Sequence, residues 1–378
     1  MKIFVSTAEV SGDLHAAKLV EEIKKILPQA SFWGIGGDLL KKAGVNLIAQ
    51  TSACGSVGLV EALYHLPYLF SVGQRAANFL KKEKPNLLIL VDSQGMNLPL
   101  AKKAKALGIK TVYYIAPQEW LWGTAKGMQS VADTIDLILA IFKKEYESYK
   151  TMNAPVIYNG HPLLDIAKAG QNKEDFLKEH NLDPRYPIIG LFPGNRRQET
   201  KYVLPIMLKA AALIKESAPA CQFVLPVFTK EPEKKVLAQV KKSNLEIKII
   251  QNQNYNLLQS ATLVLSTPGT VTLEAAIFKV PALCIYKLHP FTYFIAEHFL
   301  KIRMPYFSMP SLLLEKEVVP EFIQQNARPE LLAEKALSLL QQEEELNRYK
   351  ELMSQVRSQL EPYGSIKENA LAILKAMV

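Results

Sequence analysis

Short apolar runs alternate with amphipathic segments through the first half of the chain. Segments such as Asp13–Leu27, Leu63–Lys82 and Leu98–Leu107 have the spacing of helices with one buried face. Buried strands are predicted at Ile3–Val5, Phe32–Ile35, Leu87–Val91, Thr111–Ile115, Leu137–Ile141 and Val156–Tyr158. Strands that alternate with helices build a parallel sheet with helices on both faces. The pattern therefore predicts a doubly wound α/β domain in this half.

The same plan recurs in the second half. Its strands are predicted at Ile188–Leu191, Phe223–Val227, Ile247–Ile250, Leu263–Leu265 and Ala282–Ile285. The polar stretch Ala167–Pro187 separates the halves, so we place the domains at residues 1–170 and 171–344. Helices within residues 345–378 are expected to cross back and pack on the first domain. The predicted fold class is two doubly wound, Rossmann-like domains facing each other across a cleft, and that cleft is the expected ligand site.

Composition indicates a globular protein that favours anionic partners. Of its 378 residues, 49% are hydrophobic, and the formal net charge is +9. The lysine pairs are scattered along the chain rather than gathered into one block, which argues against nucleic acid as a partner. Phosphate groups and an anionic membrane surface are the partners that this charge favours.

The cysteines and the start of the chain bear on location. Cys54, Cys221 and Cys284 are isolated, without the paired spacing of zinc sites or disulfide frameworks, so neither a metal nor a cofactor is predicted. The N-terminus shows no leader-like segment, and no run approaches the roughly 20 apolar residues that span a bilayer. These features predict a cytoplasmic protein that can still sit on a membrane surface.

Two strand-to-helix turns in the second half are typical of a nucleotide site. After Leu263–Leu265 come Gly269, Thr270 and, about one helical turn later, Glu274. Amides at a helix start attract phosphate. A carboxylate in this position can accept hydrogen bonds from ribose hydroxyls. An ordinary turn, with a glutamate that only interacts with the helix dipole, is the alternative interpretation.

The second turn follows Ile188–Leu191 and contains Gly194, Asn195 and Arg196. Gly194 lets the backbone approach a diphosphate, and Arg196 supplies a charged fork that matches phosphate oxygens. Solvated residues at a helix start are the alternative, although cations are unfavourable at the positive end of a helix. Together the two turns predict a nucleotide diphosphate site.

Polar residues also follow the predicted strands of the first half. They are Glu9, Ser11, Gly12, Asp13, Asp92, Asn97 and His161. Asp92 is a candidate base, whereas Ser11 or Asp13 can equally cap the first helix. A lone histidine such as His161 is more often a hydrogen-bonded structural residue than a catalyst. The apolar stretch Gly55–Phe70, which contains Glu61, is either a core helix or a face that meets lipid.

These motifs resemble, in order and along nearly the whole chain, the lipid A disaccharide synthase family of membrane-associated glycosyltransferases. The residues that carry the resemblance are Glu9–Asp13, Val57–Glu61, Trp120–Trp122, Gly160–Asp165, Pro193–Arg196, Gly269–Glu274, Pro290–Thr292 and Val318–Phe322. Each motif is modest alone, whereas their order and spacing together are specific. The resemblance implies the two-lobed GT-B fold.

The resemblance also implies a reaction. UDP-2,3-diacylglucosamine would transfer its sugar, with inversion, to 2,3-diacylglucosamine 1-phosphate, giving a β-1,6-linked disaccharide and UDP. The donor would bind through Gly194, Asn195, Arg196, Gly269, Thr270 and Glu274. The acceptor would bind through Ser11, Gly12, Glu61, Asn97 and His161. A carboxylate, from Asp92, Asp13 or Glu9, would take the proton of the attacking hydroxyl. Such an enzyme is expected on the inner face of the cytoplasmic membrane, and a homodimer is compatible with this interpretation.

Four departures from the family pattern bear on activity. Gly95 stands where the family usually has an aspartate, and Gly123 where it often has an arginine. Ser311 replaces an asparagine near the donor, and Lys143–Lys144 replaces a Pro-Phe pair before Glu145. Because glycine cannot carry a proton, either another carboxylate takes that step, or the acceptor geometry differs, or the chain is no longer an efficient synthase. Two alternative functions also stay open. One is an enzyme like UDP-N-acetylglucosamine 2-epimerase, and the other is a protein that binds UDP-sugar or lipid without turnover.

Overall fold

The computed structural model describes residues 1–51, 59–194, 197–227, 234–288 and 305–377. The side chains of residues 59–66, 122 and 197–198 are outside this description. The chain divides into two compact units. The first comprises Met1–Ile166 and Leu360–Val378, and the second comprises Ala167–Gln359.

The first unit contains a parallel sheet with helices between its strands. Its strands are β1 (Lys2–Ser6), β2 (Ser31–Gly36), β3 (Asn46–Gln50), β4 (Leu87–Val91), β5 (Lys110–Tyr114), β6 (Leu137–Ala140) and β7 (Val156–Tyr158). Its helices are α1 (Val10–Ile26), α2 (Asp38–Lys42), α3 (Leu59–Glu83), α4 (Gln94–Ala106), α5 (Glu119–Trp122), α6 (Ala125–Thr134), α7 (Lys143–Thr151), α8 (Leu163–Ile166) and, from the end of the chain, α18 (Ser365–Lys375). The strand order is β3-β2-β1-β4-β5-β6-β7. The order reverses between β1 and β4, where such sheets bind ligands.

The second unit repeats this plan. Its strands are β8 (Ile188–Phe192), β9 (Gln222–Val227), β10 (Ile247–Gln251), β11 (Leu263–Ser266), β12 (Ala282–Tyr286) and β13 (Glu321–Ile323). Its helices are α9 (Lys173–Glu179), α10 (Arg197–Tyr202), α11 (Leu204–Ser217), α12 (Lys234–Lys242), α13 (Asn254–Ser260), α14 (Thr270–Ile277), α15 (Met309–Leu314), α16 (Pro329–Gln341) and α17 (Glu343–Gln359), with a 3₁₀ turn at Gln324–Asn326. The strand order β10-β9-β8-β11-β12-β13 reverses between β8 and β11.

Burial on both faces explains the apolar runs of the central strands. Every residue of β4 and of β8 is buried, as expected when helices cover both sides of a parallel sheet. The predicted doubly wound α/β class is confirmed in each unit. Two strands, β3 and β13, are not among the predicted ones; both lie at sheet edges and contain half-buried residues.

The return of the chain to the first unit occurs later than the sequence analysis expects. The predicted crossing segment was 345–378, whereas only Leu360 onward belongs to the first unit, and the first boundary falls after Ile166 rather than residue 170. The physical reason lies in α17. Its buried residues Leu346 and Tyr349 belong to the core of the second unit, and the helix packs against α14.

Side-chain hydrogen bonds attach the returning segment to the first unit. The carboxylate of Asp165 accepts from the amides of Gly364 at 2.8 Å and Ile366 at 3.0 Å, at the start of α18. Ser365 Oγ donates to the carbonyl of Gly160 at 2.7 Å. The helix α18 then packs against α1, which begins at the switch point of this sheet.

Candidate active site

The two predicted nucleotide turns follow neighbouring strands of the second unit. Ser266 at the end of β11 pairs with Phe192 at the end of β8, and Thr267 N donates to the Phe192 carbonyl at 3.1 Å. Gly194 and Gly269 therefore leave the sheet side by side at its switch point. Both have left-handed backbone, with φ of 90° and 136°. This conformation favours glycine over any residue with a Cβ.

The surroundings of these two glycines differ. A Cβ at Gly194 would overlap the carboxylate of Glu199, which lies in the first turn of α10. A Cβ at Gly269, at the start of α14, would have no atom of the described residues within 4 Å. Thr270 begins that helix and is half-buried. Asn195 and Arg196 lie outside the described residues.

Glu274 is a buried carboxyl group with one resolved side-chain partner. It is 7% exposed, and its Oε1 accepts a hydrogen bond from Tyr255 Oη at 3.0 Å. Burial raises the pKa of Glu274 to about 7, although the bond from Tyr255 opposes the shift. Stacking on Phe278 holds the Tyr255 ring in place. The pair forms a fixed acceptor next to the Gly269 turn.

Asp92 lies at the switch point of the first unit, on an unusual stretch of backbone. Asp92 and Ser93 have φ of 52° and 55°, and Ile115, whose carbonyl accepts from the Asp92 amide, has φ of 59°. Positive φ is uncommon outside glycine and costs about 1–3 kcal/mol where it is strained, so it is maintained by its surroundings. Asp92 Oδ1 accepts from Ser93 N at 2.7 Å. Strained residues concentrate at functional sites, which supports this position.

Asn97 stabilises this turn through hydrogen bonds to its backbone. Its side chain is fully buried. Its Nδ2 donates to the carbonyls of Val91 at 3.1 Å and Asp92 at 2.6 Å, and its Oδ1 accepts from Ser6 Oγ at 2.5 Å. The predicted acceptor contact is therefore replaced by a link between the ends of β1 and β4. Asn97 positions Asp92.

Asp13 is also occupied by the fold. Its Oδ1 accepts from the amides of Gly37 at 2.7 Å and Leu40 at 3.2 Å, and its Oδ2 accepts from Leu39 at 3.0 Å. The carboxylate thus caps the start of α2 rather than that of α1, whose first turn carries it. This buried capping role disfavours Asp13 as the base.

The remaining predicted residues of the first motif line the start of α1. Glu9 precedes the helix and is half-buried, and Ser11 is exposed in its first turn. Gly12 is buried, and a Cβ there would overlap Thr7 Oγ1 and contact the Cβ of Asp92 at 3.7 Å. Gly12 and Asp92 are therefore neighbours, as the acceptor prediction requires. The side chain of Glu61 lies outside the described residues.

His161 packs inside the first unit. Its Nδ1 accepts from Leu163 N at 3.1 Å, which leaves the ring proton on Nε2, and its ring packs on Phe142 at 5.0 Å between centroids. The ring of His15 lies 6.4 Å away. Burial lowers the pKa of His161 well below its usual value, with a smaller effect from His15. His161 is thus neutral at pH 7, and this geometry is typical of a structural histidine.

Glu119 is a functional candidate that the sequence analysis did not include. It begins α5, directly after β5, and is half-buried. Its Oε1 accepts from Gln94 Nε2 in the first turn of α4, and its Oε2 accepts from Thr124 N at 3.1 Å. A Cβ at Gly123 would overlap this carboxylate, so glycine there makes room for it. A charged residue directly before the apolar Trp120–Trp122 motif was the available signal.

The Ser311 departure has a structural explanation. Ser311 is fully buried, and its Oγ accepts from Val318 N and Val319 N, both at 3.1 Å. The serine hydroxyl thus supports the turn before β13. An asparagine, which the family has at this position, would place an amide there instead. Glu145, which follows the Lys143–Lys144 pair, accepts from Ile141 N at 2.8 Å and caps α7.

In the part of the chain that the structure describes, no group of three or more His, Cys, Asp or Glu side chains could hold a metal ion. No helix within the described residues is both long and apolar enough to span a membrane.

The chain matches known proteins over nearly its whole length. The family model described as lipid-A-disaccharide synthetase matches residues 3–376. The lipid-A-disaccharide synthase of Nitrosococcus oceani is 36% identical over 342 residues, which cover 90% of this chain and 88% of that protein. The lipid-A-disaccharide synthase of Gloeothece citriformis is 33% identical over 381 residues, covering 99% of each chain.

Solved structures share the fold at low sequence identity. A putative UDP-N-acetylglucosamine 2-epimerase from Listeria monocytogenes has a TM-score of 0.68 at 14% identity, covering 100% of this chain and 96% of that one. The UDP-GlcNAc 2-epimerase from Neisseria meningitidis, bound to UDP-GlcNAc, has a TM-score of 0.66 at 13% identity, covering 99% and 100%. These similarities confirm the predicted GT-B fold class.

Proposed function

Because this chain belongs to the lipid-A-disaccharide synthase family, we propose that it joins UDP-2,3-diacylglucosamine to 2,3-diacylglucosamine 1-phosphate. The product is a β-1,6-linked disaccharide, formed with inversion, and UDP is released. The family match over residues 3–376 is the observation that carries the proposal. The site geometry supports it in both units.

In the proposed donor site, the second unit binds UDP at its switch point. The diphosphate lies against the backbone of Gly194 and Gly269, with Thr270 at the helix start and the cation of Arg196 in support. Glu274 accepts hydrogen bonds from the ribose hydroxyls. The left-handed backbone of Gly269 and the fixed carboxyl of Glu274 support this arrangement. Asn195 belongs to the same proposed site by its position in the Gly194 turn.

In the proposed acceptor site, the first unit presents the turn between β4 and α4 beside the start of α1. Gly12 and Asp92 are neighbours there, and Ser11 is exposed. The acceptor's primary hydroxyl attacks the anomeric carbon in line with the bond to UDP, while a carboxylate takes the hydroxyl proton. Of the carboxylates first considered, Asp92 and Glu9 are half-buried at this edge, whereas Asp13 caps α2.

Both substrates carry acyl chains, so the proposal includes binding to the membrane surface. Phe70 and Tyr68 on α3 are 70% and 43% exposed, and such aromatic side chains suit the interface between water and lipid. The net charge of +9 favours anionic headgroups. Flotation with anionic vesicles tests this part, and analytical ultracentrifugation tests for the homodimer.

The activity is tested by incubating the purified protein with both substrates in mixed micelles and following disaccharide and UDP by mass spectrometry. We expect both products in equal amounts, and nuclear magnetic resonance should show a β linkage. UDP binding without disaccharide would contradict the proposal and indicate a binding protein. Conversion of UDP-N-acetylglucosamine to its C2 epimer would point instead to an epimerase.

A further inference from the structure

We propose that Glu119 is the general base of this glycosyl transfer, a role that rests on the proposed function. The oxygen of the acceptor hydroxyl forms a bond to the anomeric carbon of the donor. The bond from that carbon to the diphosphate breaks, and its electron pair leaves with UDP. The hydroxyl proton passes to the Glu119 carboxylate, which returns it to water after the product departs.

Three neighbouring carboxyl groups are engaged or enclosed by the fold, whereas Glu119 is not. Asp13 has both oxygens bound by the amides that begin α2, and Asp165 caps α18 with both of its oxygens. Glu145 is fully buried against α7. Glu119 is half-buried, each oxygen accepts one resolved hydrogen bond, and a carboxylate oxygen can accept a second.

The donors around Glu119 fix where its carboxylate lies. Gln94 donates from the first turn of α4, immediately after the strained residues Asp92 and Ser93. Thr124 N donates from the start of α6. Glu119 therefore connects α5 to the switch-point turn, although it follows a different strand. A base must be fixed within hydrogen-bond reach of its proton, and two donors from separate elements provide such fixing.

The backbone around the carboxylate is also shaped for it. A Cβ at Gly123 or at Gly127 would overlap the carboxylate of Glu119, so the backbone of both glycines packs against this group. Gly95 follows Gln94 in the first turn of α4 and is exposed, and a Cβ there would have no described atom within 4 Å. A carboxylate placed at residue 95 would therefore lie one residue from the side chain that binds Glu119.

The test compares Glu119→Gln with the double variant Glu119→Gln/Gly95→Asp. We expect Glu119→Gln to lower kcat at least about 100-fold, the usual minimum for loss of a general base, with the donor KM within about threefold of wild type. Gly95→Asp should restore kcat at least about tenfold in the double variant, because it adds a carboxylate at the residue after Gln94, whose side chain binds Glu119. The restored kcat should rise with pH through the acidic range as the new carboxylate ionises.

Glu145→Gln is the matched control, since it removes a capping carboxylate elsewhere in the same unit. We expect its kcat to stay within about threefold of wild type. A Glu119→Gln variant that retains kcat within threefold of wild type overturns the proposal. If Asp92→Asn then lowers kcat, the proton transfer is assigned to Asp92. The proposal is also overturned if Glu119→Gln lowers kcat and Gly95→Asp does not restore it. Glu119 would then have a structural role, because its carboxylate binds Thr124 N at the start of α6. Wild-type enzyme that makes no disaccharide contradicts the proposed function instead.

Discussion

Glu274 is a carboxyl group whose ionisation is controlled by burial. It is nearly fully buried, and its resolved side-chain partner is the neutral hydroxyl of Tyr255. Burial disfavours the charged form, which is why the pKa of Glu274 rises to about 7. Ribose hydroxyls donate to an ionised carboxylate. In the proposed donor site, nucleotide binding at Glu274 is therefore linked to loss of a proton.

The affinity for UDP should consequently depend on pH through Glu274. Below pH 7 the folded protein holds this group protonated, so binding must first remove the proton and the affinity falls as the pH is lowered. Between pH 8 and pH 6 we expect about a tenfold larger loss of affinity in wild type than in Glu274→Gln. Isothermal titration calorimetry at several pH values measures the difference, and the titration of the UDP phosphate is common to both proteins.

Tyr255→Phe provides the matched control for this prediction. Removing the hydroxyl removes the bond that opposes the shift, so the pKa of Glu274 should rise further and the midpoint of the affinity change should move to higher pH. Parallel pH curves for wild type and Glu274→Gln would mean that the ribose does not meet this carboxyl group.

At the scale of an element, α7 begins with a carboxylate that the fold holds in an apolar environment. Glu145 accepts from the amides of Ile141 and Phe142, while its Oε1 has no hydrogen-bond partner among the described residues. Burial raises the pKa of Glu145 to about 8, although the two backbone bonds oppose the shift. The helix start is therefore satisfied by a group that is neutral at pH 7.

This shift gives the first unit a predictable pH dependence. The folded pKa lies above the unfolded value of 4.5, so the contribution of Glu145 is fully present below pH 4.5 and is lost as the pH rises through about 8. Between pH 5 and pH 8, the free energy of unfolding should fall by up to about 4 kcal/mol more in wild type than in Glu145→Gln. Urea denaturation across this range measures it.

Glu147→Gln is the matched control, because Glu147 lies on the same helix and is exposed. Its pH curve should follow that of wild type. A Glu145→Gln curve that also follows wild type would show that Glu145 is solvated, and the capping geometry would then need another explanation.

The elements differ in how far the sequence predicts them. Central strands such as β4 and β8 are continuous apolar runs because both faces are covered, so their pattern is visible without the structure. The edge strands β3 and β13 include the polar residues Asn46, Gln50 and Glu321, so they lack a long apolar run. Their pairing depends on distant neighbours that no local pattern encodes.

Site residues show a similar limit at the ends of strands. Glycine turns after β8 and β11 are predictable because backbone conformation constrains the residue type directly. Polar residues are less informative, since Asn97 and Asp13 bind backbone groups in the fold rather than facing open space. Glu119, in contrast, was not predicted although it is a candidate site residue. Its position next to Gln94 is set by packing between residues far apart in sequence.

For the molecule as a whole, the end of the chain completes the unit in which the chain begins. Leu360, Ile366 and Ile373 are buried in the first unit, and Asp165 caps the start of α18. Burying each such side chain contributes about 1.5–3 kcal/mol. Together they amount to a large part of the 5–15 kcal/mol that typically stabilises a domain. The second unit lacks this dependence, because its own sequence, Ala167–Gln359, is continuous.

Deleting residues 360–378 should therefore destabilise one unit selectively. Hydrogen exchange should become fast in β1 and β4 of the truncated chain, while the amides of β8 and β11 stay protected, because α17 still packs on the second unit. A milder pair of variants separates packing from truncation. Ile373→Ala should cost about 2–5 kcal/mol in the first unit, whereas Leu371→Ala, at an exposed position, should change stability by less than about 0.5 kcal/mol. Equal loss of protection in both sheets would show instead that the two units unfold together.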